Sequence, residues 1–525
     1  MFLQGFFALV SLFALGVHGR VSSYELPDIY KKSNTFELQV DGRQAHTVNY
    51  ARYDYAHLSM HEGRPVEFRL KPLTGEDITS WSITPRKLDI DAKVEGGELV
   101  FSTTKAHYLI IKINSLKEFV LLVDPPERNA PKPWGRRIFN VWSYDADPTG
   151  LTVTEGIQKA VDAASRHPGS TVYVPPGLYN IGNLVLRHKT SLYLAGGAVL
   201  RFTGNPDDYE TMYTKSDLGP GTWWIRTEAD SSDIKVFGRG ILDGNGFETR
   251  KNNFMSSVLV PAGTKNFKAD GILTRDSSFW AVTPIQSEDV TLTNLKILNR
   301  FDVTQDDGVD VCESKNVVVR RAIAIANDDS FSAKTWPYKT GTTVPYPYPP
   351  QSQRDVVFED CLAWTLCFGY KVGQGVHQDQ DRVVFQDSVA YSAGVGMGIH
   401  HLFGNSTARD IKFENIDIER LHGAPGGFAS WLVIIIREGG RDVGPIDGVQ
   451  VRNIRAREIG DRQGYIEGYS DDVKVHDVTL SDVFVHDSTT PATTLKEMKI
   501  YHTNYSEDIT IKNSVFKASS KPDLS

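Results

Sequence analysis

Eight short runs in which β-branched or aliphatic residues alternate with polar ones begin at Val290, Val317, Val356, Val383, Ile411, Val449, Val478 and Ile509. Alternation with a period of two marks a strand with one buried face. Successive runs start 27 to 39 residues apart and no helical pattern separates them. That spacing predicts a right-handed parallel β-helix, in which each coil buries its inward side chains only by stacking on its neighbours. The two long intervals, after Val317 and after Ile411, predict coils with inserted loops, one around Tyr346 in a proline-rich stretch and one around Gly426.

Upstream the pattern changes. Residues 24–124 carry short β-rich runs separated by polar turns, such as Phe36-Glu37-Leu38-Gln39-Val40 and Val66-Glu67-Phe68-Arg69-Leu70. These predict a small antiparallel β-sandwich. A proline-rich linker follows at 125–136, and the β-helix is expected to occupy 137–525. Near its start, Ile157, Val161 and Ala164 share one helical face, which suits a helix capping the first coil. Residues 1–19 are almost wholly apolar and end on small residues. The run is shorter than the ~20 residues that span a bilayer, so it reads as a secretory signal peptide and the protein as extracellular.

Composition narrows the functional classes. The chain has 525 residues and a net charge of −8, without basic runs, which argues against a nucleic-acid partner. Cys312, Cys361 and Cys367 permit at most one disulfide and lack metal-site spacing. No metal, cofactor or membrane partner is expected, and the chain is expected to act as a monomer on a polysaccharide. Two sequons, at Asn405 and Asn504, fit glycosylation after secretion.

The candidate chemistry lies in two acidic stretches, Gln305-Asp306-Asp307-Gly308 and Asn327-Asp328-Asp329-Ser330. They fall at the same phase of consecutive coils, where equivalent residues stack ~4.8 Å apart. Asp306 is then beneath Asp328, and Asp307 beneath Asp329. Crowded carboxylates raise the pKa of at least one member, which a general acid near neutral pH requires. Clustered Asp can also bind a hard cation or form a solvated face.

Longer motifs carry a family resemblance. Phe139-Asn140-Val141, the stretch from Thr171 through Val174-Pro175-Pro176-Gly177 to Tyr179, Asp243-Gly244-Asn245-Gly246, Ser278-Phe279-Trp280 and Asp307-Gly308-Val309-Asp310 resemble polygalacturonases of glycoside hydrolase family 28. The resemblance implies an inverting hydrolase in which Asp328 protonates the leaving oxygen while Asp307 and Asp329 activate water. Asp306, Gln305, Phe368, Lys371, His400 and His401 are the expected substrate-binding residues, with Phe368 stacked over Asp328. The chain also departs from the family. The family's Gly-His-Gly falls on Cys367-Phe368-Gly369, and its Arg-Ile-Lys on Gly398-Ile399-His400, so the cations that hold a uronate carboxylate are missing. Lys334 or Lys371 is a candidate replacement. Two alternatives stay open: a neutral-glucan hydrolase resembling the dextranases and isopullulanases of family 49, and a non-catalytic carbohydrate-binding β-helix.

Overall fold

The computed structural model describes residues 20–215, 218–336, 346–423, 427, 429–439 and 442–514. The expected signal peptide, Gly426 and residues 338–345 of the proline-rich insertion lie outside them.

The eight runs stack in register. Val290 pairs with Val317, Val317 with Val356 and Val356 with Val383; further along, Ile411 pairs with Val449, Val449 with Val478 and Val478 with Ile509. All belong to one sheet of 20 strands, running from Ile138–Asn140 to Ser506–Ile511. Inside the coils Phe358, Phe385 and Phe413 form a column with ring centroids 4.8 and 5.3 Å apart, the repeat distance of the stack.

The fifth residue of each run but the last turns a corner. Asn294, Arg321, Asp360, Asp387, Asn415, Asn453 and Asp482 all take positive φ, between 50° and 56°. Asn and Asp tolerate this left-handed conformation better than other side chains, which explains their recurrence there. Their side chains also bond from coil to coil: Asn415 Nδ2 donates to Asp387 Oδ1 at 2.9 Å, and Asn453 Nδ2 to Asn415 Oδ1 at 2.8 Å.

A second parallel sheet of seven strands forms another wall. It comprises Val309–Cys312, Phe331–Thr335, Phe368–Val376, Val395–Phe403, Ser430–Ile436, Gly464–Glu467 and Ile500–His502. The helix Gly156–Ser165 packs Ile157, Ala160, Val161 and Ala164 onto the first coils. No helix among the described residues is long and apolar enough to cross a membrane.

The amino-terminal strands form sheets of six and five strands around Phe36, Leu38, Phe68, Leu70, Phe101, Ile111, Phe119 and Leu121. One pairing departs from the expected antiparallel pattern: Tyr53–Met60 runs parallel to Glu118–Asp124. The strand Tyr53–Met60 is buried along its whole length. Ala56, Leu58 and Met60 enter the sandwich core, while Tyr53 and Tyr55 enter a second core shared with Leu273, Leu298, Phe301, Ile323, Ile325 and Trp364 of the β-helix. A strand covered on both faces suits parallel pairing, and the alternating polar face that would mark a solvated sheet is absent here.

Candidate active site

The two acidic stretches occupy the corner between the long wall and the seven-stranded wall. Val309 pairs with Phe331, and Gly308 N donates to Asp329 O at 2.8 Å. Carried back along the chain, this register sets Asp306 beneath Asp328 and Asp307 beneath Asp329, the alignment read from the sequence. Asn327 to Ser330 lies between the strands Lys315–Ala326 and Phe331–Thr335, so strand alternation does not apply to it. Asp328 and Asp329 therefore turn the same way, each with a carboxylate oxygen within 4.8 Å of the other and of the Cys367 sulfur. A cation in that group would compete with an ammonium already bonded to Asp329.

Each acid has a different environment. Asp306 is fully buried, and its Oδ1 accepts from the backbone N–H groups of Asn327 at 2.8 Å and Asp328 at 3.2 Å, while Oδ2 has no partner. Burial pushes its carboxyl well above the usual range. Asp306 was expected to meet substrate; instead it staples the loop that carries Asp328, because its only bonded oxygen is committed to that backbone. Asp307 is buried too, with Oδ2 on Lys334 Nζ at 3.0 Å and Oδ1 unpartnered. Burial and the neighbouring Asp310 push it up. Asp329 behaves in the opposite way. Burial alone would raise it, but Lys371 Nζ at 2.8 Å and Lys334 Nζ at 4.0 Å hold its carboxyl below the usual range. Asp328 is half-buried and accepts from Gln305 Nε2 at 3.1 Å and Asp329 N at 3.0 Å. Among the described residues, no lysine or arginine lies within ion-pair distance of it.

Lys334 is the junction of the cluster. Its ammonium reaches Asp310 at 2.7 Å, as well as Asp307 and Asp329, and lies 4.3 Å from the centre of the Trp280 ring. Both lysines are buried, and Lys371 also lies over the Phe368 ring at 4.7 Å. They neutralise the protein's own acids, so the expectation that Lys371 restores a cation for substrate gives way to this pairing. Three acids, Asp307, Asp310 and Asp329, face two ammoniums, which leaves one negative charge or one proton in the cluster.

Other expected residues fall as follows. Continuing the pairing of Phe331 with Tyr370 back along the strands puts Phe368 over Asp329 and Cys367 over Asp328, which corrects the expected stacking of Phe368 on Asp328. The Phe368 N–H donates to Asp329 Oδ1 at 3.3 Å, and the ring packs with Val395, Val433 and Ile435. His400 stacks with Phe368 at 6.2 Å between centroids, and burial lowers its pKa to about 3, so it carries no charge near neutral pH. His401 is fully buried, its Nε2 2.9 Å from Ser406 O, and burial lowers it to about 4. Its ring is enclosed by protein and offers no face to a sugar, which corrects its assignment to substrate. Gln305 accepts from Lys215 Nζ while it donates to Asp328. Asn405 and Asn504 are both exposed, and all three cysteines are free thiols.

Sequence reading passed over Asn299 and Thr365, which hold the acidic loops from behind. Asn299 Nδ2 donates to Asp306 O, and Thr365 Oγ1 donates to Asp328 O. Neither belongs to a motif, and only the coil-to-coil register would have drawn attention to them.

Part of the chain is similar to known proteins. Residues 170–340 match the model of glycosyl hydrolases family 28. An exo-poly-alpha-D-galacturonosidase of Dickeya chrysanthemi is 24% identical over 253 residues, covering 37% of this chain and 42% of that protein. The chain thus spans less than half the length of this relative. Among solved structures, Dex49A from Penicillium minioluteum superposes with a TM-score of 0.58 at 11% identity, covering 92% of this chain and 95% of that one. The polygalacturonase of Erwinia carotovora ssp. carotovora gives 0.54 at 16% identity, covering 74% and 99%. These two likenesses speak for the fold, and the first extends beyond the β-helix into the amino-terminal domain. The family match covers the coils that carry both acidic stretches, so over residues 170–340 the chain is similar to glycosyl hydrolases family 28.

Proposed function

We propose that the protein is a secreted, inverting hydrolase of polysaccharide glycosidic bonds, with Asp328 as general acid and Asp329 as the base that activates water. The observation that carries this reading is the contrast between neighbouring carboxylates. Asp329 is kept ionised by two buried ammoniums, whereas among the described residues no lysine or arginine lies within ion-pair distance of Asp328, which is half-buried and so partly open to solvent. Asp307, pushed toward its neutral form by burial and by Asp310, orients the water instead of taking the first share of its proton. An inverting pair holds that water between its carboxyl groups.

The relative from Dickeya chrysanthemi supports a galacturonan as first substrate. A neutral glucan is the second reading, favoured by one observation: where the family has its cations this chain has Gly398 and an uncharged His400. Release of reducing sugar from polygalacturonate, rhamnogalacturonan, dextran and pullulan separates the two. Asp328→Asn is expected to abolish release on whichever polymer the wild type cleaves, with its melting temperature unchanged. Turnover by that variant above about one hundredth of wild type would remove Asp328 from the acid role.

A further inference from the structure

The geometry points to the amino-terminal sandwich as a working part of the active site: Tyr53, through Asn299, positions the acidic loops of the β-helix. This inference rests on the hydrolase reading for its kinetic consequence, but its structural content stands apart from it.

Tyr53 is fully buried and lies at the start of the strand Tyr53–Met60. Its hydroxyl donates to Asn299 O at 2.9 Å, across 246 residues of chain. The adjacent Tyr50 hydroxyl donates to Leu298 O at 3.1 Å, so two tyrosines grip consecutive carbonyls at the end of one β-helix strand. Asn299 is itself fully buried. Its Oδ1 accepts from Ser277 N at 3.0 Å, and its Nδ2 donates to the carbonyl of Asp306. Asp306 then accepts from the backbone of Asn327 and Asp328. The line from the sandwich to the proposed acid therefore runs through buried hydrogen bonds as far as Asp306, each costly to leave unmade, and ends in partly buried bonds to the loop of Asp328.

Packing reinforces this line. The Tyr53 ring meets Trp364 at 5.5 Å and Phe301 at 6.5 Å, and Phe301 O accepts from Asn327 Nδ2. Residues 299–308 thus run between an anchor on the sandwich and the loop of Asp328. Tyr53 touches no reacting atom and is a positioning residue. Misplacement of a reacting group by about 1 Å can cost a hundredfold in rate, so loss of one anchoring hydroxyl is expected to register in turnover.

The test compares full-length wild type, Tyr53→Phe and Asn299→Asp, with Tyr108→Phe as a control at the same domain interface but on the Asp124 carboxylate. Backbone hydrogen exchange at Asn327 and Asp328 is the first readout and needs no substrate. Faster exchange there in Tyr53→Phe and Asn299→Asp, but not in Tyr108→Phe, is expected. The second readout is kinetic on the polymer the wild type cleaves: kcat should fall about tenfold or more with KM nearly unchanged. Unchanged exchange at both positions in the two variants would overturn the inference, and so would equal slowing of turnover by Tyr108→Phe. An inactive wild type with altered exchange would sink the hydrolase reading while leaving the positioning line standing.

Discussion

Burial moves Asp306, Asp307 and Asp310 toward the neutral form, whereas Lys371 and Lys334 keep Asp329 charged. The two directions give opposite pH dependences. Asp306 has a folded-state pKa above its unfolded value of about 3.9, so its contribution is fully present below that value and is lost as pH rises through the folded one. Asp306→Asn keeps an acceptor for the N–H groups of Asn327 and Asp328 and cannot ionise. Its melting temperature should rise relative to wild type as pH increases from 4 to 8; a gap that stays constant would contradict a raised Asp306. Asp329 contributes in the other sense: its stability is present above the unfolded value and is lost as pH falls through the lower folded one. Lys371→Met strips that carboxylate of its nearest cation and is expected to cost about 3–5 kcal/mol in urea unfolding at neutral pH, the range for breaking a buried pair. A cost below about 1 kcal/mol would place the pair in the class of solvated surface bridges.

At the scale of the element, what decides the site is register. The stacked runs were legible because a period of two within each run and a recurring interval between runs leave few other folds. The same 39-residue interval from Val317 to Val356, applied to Ser332, lands on Lys371, so its place beside the acids was present in the spacing. Its pairing with Asp329 was not, because register fixes height on the wall and leaves the direction of a four-carbon side chain open. Phe368 was placed one residue out for a related reason: the corner before it is irregular, and alternation gives no guidance there. The corner residues themselves carry a prediction. Asn415→Val puts a β-branched side chain at φ 56° and removes two coil-to-coil hydrogen bonds, so a loss of roughly 2–3 kcal/mol is expected. Urea unfolding of this variant beside Asn415→Gly, which keeps the conformation and loses only the bonds, separates the two contributions.

Across the whole molecule, the sandwich and the β-helix share a core and a buried charge cluster. Lys296 and Arg239 of the β-helix meet Asp124 of the sandwich at 2.5 and 3.2 Å, and His57 joins them at 2.8 Å. The Tyr53-to-Asn299 contact spans domains that no local pattern connects, which is why a reading that treated the sandwich and the β-helix separately missed it. A β-helix lacking residues 20–124 would expose Leu273, Leu298, Ile323, Ile325 and Trp364 together with an unpaired Lys296. It is expected to be insoluble when expressed alone, and a soluble, monomeric truncation would show that the sandwich is dispensable. The central claim concerns the acids, and proton NMR of the first reducing ends released from the cleaved polymer tests it most directly. Wild type should release ends of inverted anomeric configuration and Asp328→Asn none; retained configuration, or the same release from both proteins, would contradict the account.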